Sequence, residues 1–215
     1  MGDIMQDSPK VVERYLEAAK QGDADAQYNL AFRYCEGYGV ERNPAEAAKW
    51  CRKAAEQGHV KAQYNLGVFY YNGAGVEQDF EKAAMWYCKA AEQGDAKAQY
   101  NLGKCYANGE GVTQNLAEAT EWCRRAAEQG LAEAQYTLGD CFYIGQGVAS
   151  DYVKAAEWYR KAAEQGLAEA QFNLGVCYHN GAGIPRDFAE AGKWFRKAAE
   201  QGDEYAQRMP GRYHR

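Results

Sequence analysis

The sequence has 215 residues, 47% of them apolar and 26% charged, enough for one sizeable domain or two small ones of ordinary soluble composition. The net charge of −5 is spread along the chain without acidic or basic blocks, which argues against nucleic acid as a partner, because such binding depends on clustered Lys and Arg. Seven cysteines, an odd number, fit poorly with a complete disulfide framework, and no apolar run is long enough to span a bilayer.

The N-terminal stretch MGDIMQDSPKVVERYLEAAK has neither the basic start nor the apolar core of a signal peptide, and Gln6 stands where a myristoylation signal needs Ser or Thr. A cytoplasmic location is the expectation, or a secreted or periplasmic one if a leader has been removed. Residues 8–22, ending in AAKQG, predict a lone helix that caps the N-terminal end. From Asp23 the chain repeats. The string AAEQG closes at Gly58, Gly94, Gly130, Gly166 and Gly202, a step of 36 residues, so the units are 23–58, 59–94, 95–130, 131–166 and 167–202.

Each unit opens with AxAQYNLGxxY, in which residues such as Ala98, Leu102 and Tyr106 form an i, i+4, i+8 apolar stripe on one helix face. A GxGV or GxGI segment such as Gly73–Val76 then ends that helix, its glycines giving access to positive φ. Asn43, Asp79, Asn115, Asp151 and Asp187 follow as N-caps of a second helix; Glu46, Glu118 and Glu190 stand at capping-box spacing, and Pro44 fits the first helical position. The second helix carries an apolar stripe such as Ala83, Trp86 and Ala90. Residues 203–209 begin a sixth first helix, Pro210 ends it, and the tail to Arg215 reads as frayed.

One such hairpin cannot bury its own stripe, whereas stacked hairpins can. The predicted fold class is all-α: a right-handed superhelical α-solenoid of five helix–turn–helix repeats with terminal capping helices, forming a single domain over residues 1–215. Trp50, Trp86, Trp122, Trp158 and Trp194 recur once per unit and read as core on the second helix rather than as a cofactor cage. Leu30, Leu66, Leu102, Leu138 and Leu174 join them, and Gly67, Gly103, Gly139 and Gly175 allow close helix approach. Cys105, Cys141 and Cys177, one repeat apart, read as reduced, buried, small apolar residues.

The combined pattern AQYNLGxxYxxGxGVxxD…AxxWYRKAAEQG resembles the Sel-one-like repeat family, a tetratricopeptide-like α-solenoid, over residues 23–202. Ala62, Leu66, Gly67 and Tyr70 carry the signature in the second unit; Ala31, Thr137 and Gly192 depart from it. The resemblance implies an adaptor or scaffold that holds a protein or extended peptide in a concave groove lined by the first helices. It also includes a cysteine-rich secreted branch linked to penicillin binding or hydrolysis. That branch bridges cysteines at a spacing absent here, so a weak hydrolase stands as the second hypothesis and a self-associating structural module as the third.

The face opposite the stripe on the first helices supplies the candidate partner-binding residues. Asn29, Asn65, Asn101 and Asn173 form a row whose amides suit an extended peptide backbone, or else bond neighbouring helices; the pattern leaves both open. Lys61, Lys97 and Lys104 precede Glu133, Asp140 and Glu169 along the chain, a pattern that fits either ordinary solvated surface charge or a charge-polarised groove that orients its ligand. Tyr71, Tyr143 and His179 share one variable position among the units. The basic pairs Arg52-Lys53, Arg124-Arg125, Arg160-Lys161 and Arg196-Lys197 are expected to favour helix C-termini and to pair with acids such as Glu56.

Catalytic chemistry is not evident. The three histidines, His59, His179 and His214, are far apart, and no metal-ligand spacing, phosphate-binding loop or GxSxG element occurs. No enzyme activity, cofactor or metal is expected.

Overall fold

The computed structural model describes residues 9–208, and among them every regular element is an α-helix. Ser8, at the start of the predicted cap, lies outside the described residues, as do Pro210, His214 and the rest of the tail. The helices fall into two compact units that divide after Gln114, inside repeat 95–130. The first unit holds α1 (Pro9–Lys20), α2 (Ala24–Glu36), α3 (Pro44–Glu56), α4 (Val60–Asn72), α5 (Phe80–Glu92) and α6 (Ala96–Asn108). The second holds α7 (Leu116–Glu128), α8 (Ala132–Ile144), α9 (Tyr152–Glu164), α10 (Ala168–Asn180), α11 (Phe188–Glu200) and the single turn α12 (Glu204–Gln207). Repeats 23–58, 59–94, 131–166 and 167–202 each form a helical hairpin within one unit.

The boundaries follow from local chemistry. Asn43 accepts a hydrogen bond from the Glu46 N–H at 3.1 Å and Asp79 from Lys82 at 2.9 Å, as N-caps do. Glu46, predicted to reach back in a capping box, instead meets Lys49 at 3.0 Å. First helices are capped by Asp23, Asp95 and Asp203, and α4 by His59, whose Nδ1 accepts from the Ala62 N–H at 3.1 Å. Leu131 and Leu167 hold the same place without a side-chain cap bond.

One glycine per loop is fixed twice over. Gly75 sits at φ +72°, and a Cβ there would run into the Pro44 carbonyl of the preceding repeat's second helix. Gly111 meets Phe80, Gly147 meets Leu116 and Gly183 meets Tyr152 in the same way, so the second Gly of GxG is also an inter-repeat contact.

Within the hairpins, Leu30, Leu66, Leu102, Leu138 and Leu174 are fully buried. Tyr87 packs flat on the backbone at Gly67, Tyr159 on Gly139 and Phe195 on Gly175; a Cβ at any of these glycines would stand 2.6–2.7 Å from the ring. In repeat 23–58 the ring is replaced by Cys51, and there Ala31 takes the glycine's place. The departure at Ala31 is therefore compensated by its partner helix.

A buried ladder of glutamines runs through the hairpins. Gln63 donates to the Ala55 carbonyl of the preceding repeat at 3.2 Å and accepts from Gln93 at 2.6 Å. Gln27 with Gln57, Gln135 with Gln165 and Gln171 with Gln201 repeat the link at 2.8 Å. These side chains add a second donor to helix-end carbonyls that the turn's glycine N–H also reaches, as Gly58 reaches Ala55 at 3.0 Å.

The tryptophans differ from expectation. Trp50 and Trp86 are buried, but Trp122, Trp158 and Trp194 are only partly so. Each ring lies under a cation one turn on: Lys53, Lys89, Arg125, Lys161 and Lys197 stand 3.7–4.6 Å from the centroids. Arg52 and Arg160 donate to the hydroxyls of Tyr70 and Tyr178 at 2.7 and 2.9 Å. Many of these basic residues thus meet the chain's own aromatic rings, and Arg124 and Arg125 also pair with Glu121 one turn back, at 3.4 and 3.2 Å.

Candidate functional site

The candidate residues lie on the first helices outside the buried stripe, and the units differ there. In the first unit Lys61 of α4 and Lys97 and Lys104 of α6 are exposed. In the second, Glu133 of α8 and Glu169 of α10 are exposed, while Asp140 is half-buried. The three lysines therefore fall in the first unit and the three acids in the second, although Asp25 of α2, at the repeat position of Lys61, is an exposed acid of the first unit.

The asparagines are half-buried and engaged. Asn29 donates to the Asp25 carbonyl of its own helix at 2.8 Å. Asn65 bonds the Tyr28 hydroxyl of the preceding repeat. Asn101 bonds the hydroxyls of both Tyr64 and Tyr87. Asn173 bonds Tyr136 and donates to Asp140 at 3.3 Å. The variable aromatic positions lie at the loop end of the same face. Tyr71 donates to Glu110 at 3.0 Å and meets Phe80 edge-on with centroids 5.2 Å apart. Tyr143 packs on Tyr152 at 5.1 Å and His179 on Phe188 at 5.3 Å.

Two equivalent tyrosine clusters result. In the first unit Tyr64, Val68, Tyr71, Asn72, Tyr87, Asn101 and Lys104 line a cleft of about 190 Å³. In the second unit Tyr136, Tyr143, Tyr159 and Asn173 surround Asp140, whose carboxylate accepts from the Tyr159 hydroxyl at 2.6 Å. Burial raises Asp140 above the ordinary carboxylate range, opposed by bonds from Tyr159, Tyr136 and Asn173. Burial and the adjacent carboxylate push the Tyr136 phenol up to about 12, and Tyr159 is raised further for the same reasons.

Sequence reasoning did not single out Tyr64, Tyr87, Tyr136 and Tyr159. The tyrosine of AQYNLG was legible on the outer face. Its partner comes from the second helix, where Cys51, Tyr87, Cys123, Tyr159 and Phe195 alternate in size, and that alternation was the available signal.

The thiols do not make a reactive centre. All seven cysteines are unpaired. Burial lifts Cys177 and Cys105 to about 11, and Cys51 and Cys123 to about 12, so these four are protonated and poorly nucleophilic at neutral pH. Among the described residues no group of three or more His, Cys, Asp and Glu side chains gathers as metal ligands, and no helix is long and apolar enough to cross a membrane.

Comparison with known proteins gives a consistent picture. A family model for the Sel1 repeat matches residues 24–59, 60–95, 96–131, 132–167 and 168–203. The crystal structure of a protective antigen present in uropathogenic Escherichia coli strains, displaying an SLR fold, is 45% identical with a TM-score of 0.88. That match covers 91% of this chain but only 42% of the antigen. A Sel1 repeat protein from Oxalobacter formigenes is 40% identical over 87% of this chain and 77% of its own, with a TM-score of 0.82. An immunity protein from Pseudomonas aeruginosa is 26% identical over 94% of this chain and 77% of its own, at a TM-score of 0.52. The curated proteins offer no match to this sequence.

Proposed function

We propose that this chain, which belongs to the Sel1 repeat family, is a non-catalytic scaffold that binds a protein or extended peptide along the groove lined by its first helices. Sel1 repeat proteins are generally scaffolds for protein interaction. The observation that carries the finer reading is the division of labour along each first helix. Residues identical in every unit, such as Leu66 and Gln63, are buried, whereas the residues that vary between units, Lys61, Lys97, Lys104, Glu133 and Glu169, are exposed on one flank. Variable, exposed charges of both signs set beside an invariant buried stripe suit a surface that orients a ligand.

The test is affinity capture from host lysate with mass-spectrometric readout, comparing wild type with a Lys61→Glu, Lys97→Glu, Lys104→Glu variant. All three lysines are exposed, so the variant should fold, as far-UV circular dichroism will verify. A partner held by wild type and released by the variant at low salt is the expected result. A partner held equally by both moves the binding surface away from this flank. Direct binding by an extended ligand is expected to weaken as salt is raised.

A further inference from the structure

The two tyrosine clusters are the same site in two states of occupancy. In repeat 131–166 Asp140 places its carboxylate among three donors: the Tyr159 hydroxyl at 2.6 Å, the Asn173 amide at 3.3 Å, and the Tyr136 hydroxyl. Repeat 59–94 has each donor in the corresponding place, Tyr87, Asn101 and Tyr64. There Asn101 bonds both phenol oxygens, whereas Asn173 bonds Tyr136 and the Asp140 carboxylate. What differs is the residue at the centre. Val68 stands where Asp140 stands, and the space is an open cleft of about 190 Å³. Lys104, exposed, lines the same cleft, whereas Val176 holds the equivalent place beside Asp140.

We infer that the cleft of Tyr64, Tyr87, Asn101 and Lys104 is a subsite for a carboxylate supplied by a bound peptide, with Asp140 serving in the second unit as its built-in counterpart. The inference deepens the scaffold reading and rests on it. Two phenol hydroxyls and an amide are neutral donors in a partly desolvated place, where hydrogen bonds to a charged acceptor are stronger than between neutral groups. Lys104 adds the opposite charge at the rim, which steers and selects rather than anchoring. Val68 and the ring of Tyr71 supply the apolar wall against which the methylenes of an acidic side chain, or the last residue of a chain, would pack.

The site makes a reciprocal prediction that a general basic surface does not. Val68→Asp would install the internal carboxylate and close the subsite from within, and Tyr64→Phe with Tyr87→Phe would remove two donors while keeping both rings. The probe is a synthetic array of random short peptides, printed once with free and once with amidated C-termini, applied to the full-length chain and to each variant after circular dichroism shows it folded. Wild type is expected to enrich peptides that carry Asp, Glu or a free terminus, and replacing the selected Glu by Gln, or amidating the selected terminus, is expected to weaken binding about tenfold or more. Sensitivity to amidation alone identifies the terminal carboxylate, and sensitivity to Glu→Gln identifies a side chain. Both variants are expected to lose the acidic preference. Peptides bound without need of a carboxylate, or an acidic preference that survives in Val68→Asp, overturn the subsite and leave the scaffold standing. Binding of no peptide by any form also overturns it, while the lysate capture decides the scaffold separately.

Discussion

Substitution of Gly67 by Ala tests the account of how the hairpins close. Alone, the change adds a Cβ 2.6 Å from Cδ1 and Cε1 of Tyr87 and 3.2 Å from the Ala83 carbonyl. Overpacking of this kind costs roughly 1–3 kcal/mol, and the better helix propensity of Ala returns about 1 kcal/mol, so the net loss is about 0–2 kcal/mol. Tyr87→Cys alone removes a ring that is 2% exposed and should cost about 3–5 kcal/mol. The double variant rebuilds the Ala31–Cys51 pair of repeat 23–58. It keeps the propensity gain and loses the clash, so it should cost about 2–4 kcal/mol, less than the sum of its parts by about 1–3 kcal/mol. Equilibrium urea unfolding of the full chain, followed by far-UV circular dichroism for the wild type, both single variants and the double, measures that coupling from midpoints at a common slope. Additivity to within about 0.5 kcal/mol would refute the argument, because it would mean that the ring and the glycine do not share space.

Gln63→Leu removes one bond to the Ala55 carbonyl, which keeps the Gly58 N–H, and one from the Gln93 amide, which keeps the Lys89 carbonyl, so it should cost about 0.5–1.5 kcal/mol in the same unfolding measurement. Cys35 and Cys88 are half-buried while Cys51, Cys105, Cys123, Cys141 and Cys177 are buried, so alkylation of the native chain near neutral pH, mapped by peptide mass spectrometry, should modify the first two well before the other five. Asp140 gives a pH dependence of defined sign. Its folded value is raised, so between the unfolded and folded values the native state binds the extra proton; the contribution to stability is complete below the unfolded value and is lost as pH rises through the folded one. The stability of wild type relative to Asp140→Asn, from urea midpoints over a pH series, should therefore decline from mildly acid conditions toward neutrality, and a rise would reject the burial that causes the shift.

The parts of the fold that were legible from sequence are those fixed by backbone chemistry close in the chain. Asn43 and Asp79 announce helix starts because a cap acts on the residue three places on, and Gly73 with Gly75 announces the loop because only glycine tolerates two positive-φ residues so close together. The 36-residue period could be read without any structure. The Gln63–Gln93 link was not legible, although both residues recur in nearly every unit: Gln is an ordinary surface residue, and its burial depends on a carbonyl delivered by another helix. The same limit applied to Tyr64 and Tyr87. Spacing places each on a helix face, but only the packing of Tyr87 over Gly67 brings its hydroxyl to Asn101. The basic pairs were legible in part for a related reason: their place in the last helical turn could be read, whereas the rings of Tyr70 and Tyr178 on a neighbouring helix, which Arg52 and Arg160 meet, could not.

Under the subsite proposal, the residue at the centre of the two tyrosine clusters is where such a repeat changes what it recognises without changing its fold. The same repeat position reads Phe32, Val68, Lys104, Asp140 and Val176 in successive repeats, a range from aromatic to anionic, while the leucine two residues earlier in each helix is the same and fully buried. The fold is indifferent to this position because it stands on the flank of the first helix, beyond the buried stripe that closes the hairpin. The surrounding donors are not indifferent to it: with Asp140 they are satisfied from within, and with Val68 they are left facing a cleft. On the subsite proposal, a single substitution at this position exchanges an internal hydrogen bond for one to a ligand, so its effect is expected to fall on ligand preference before it falls on stability, the property required of a specificity position in a repeated scaffold.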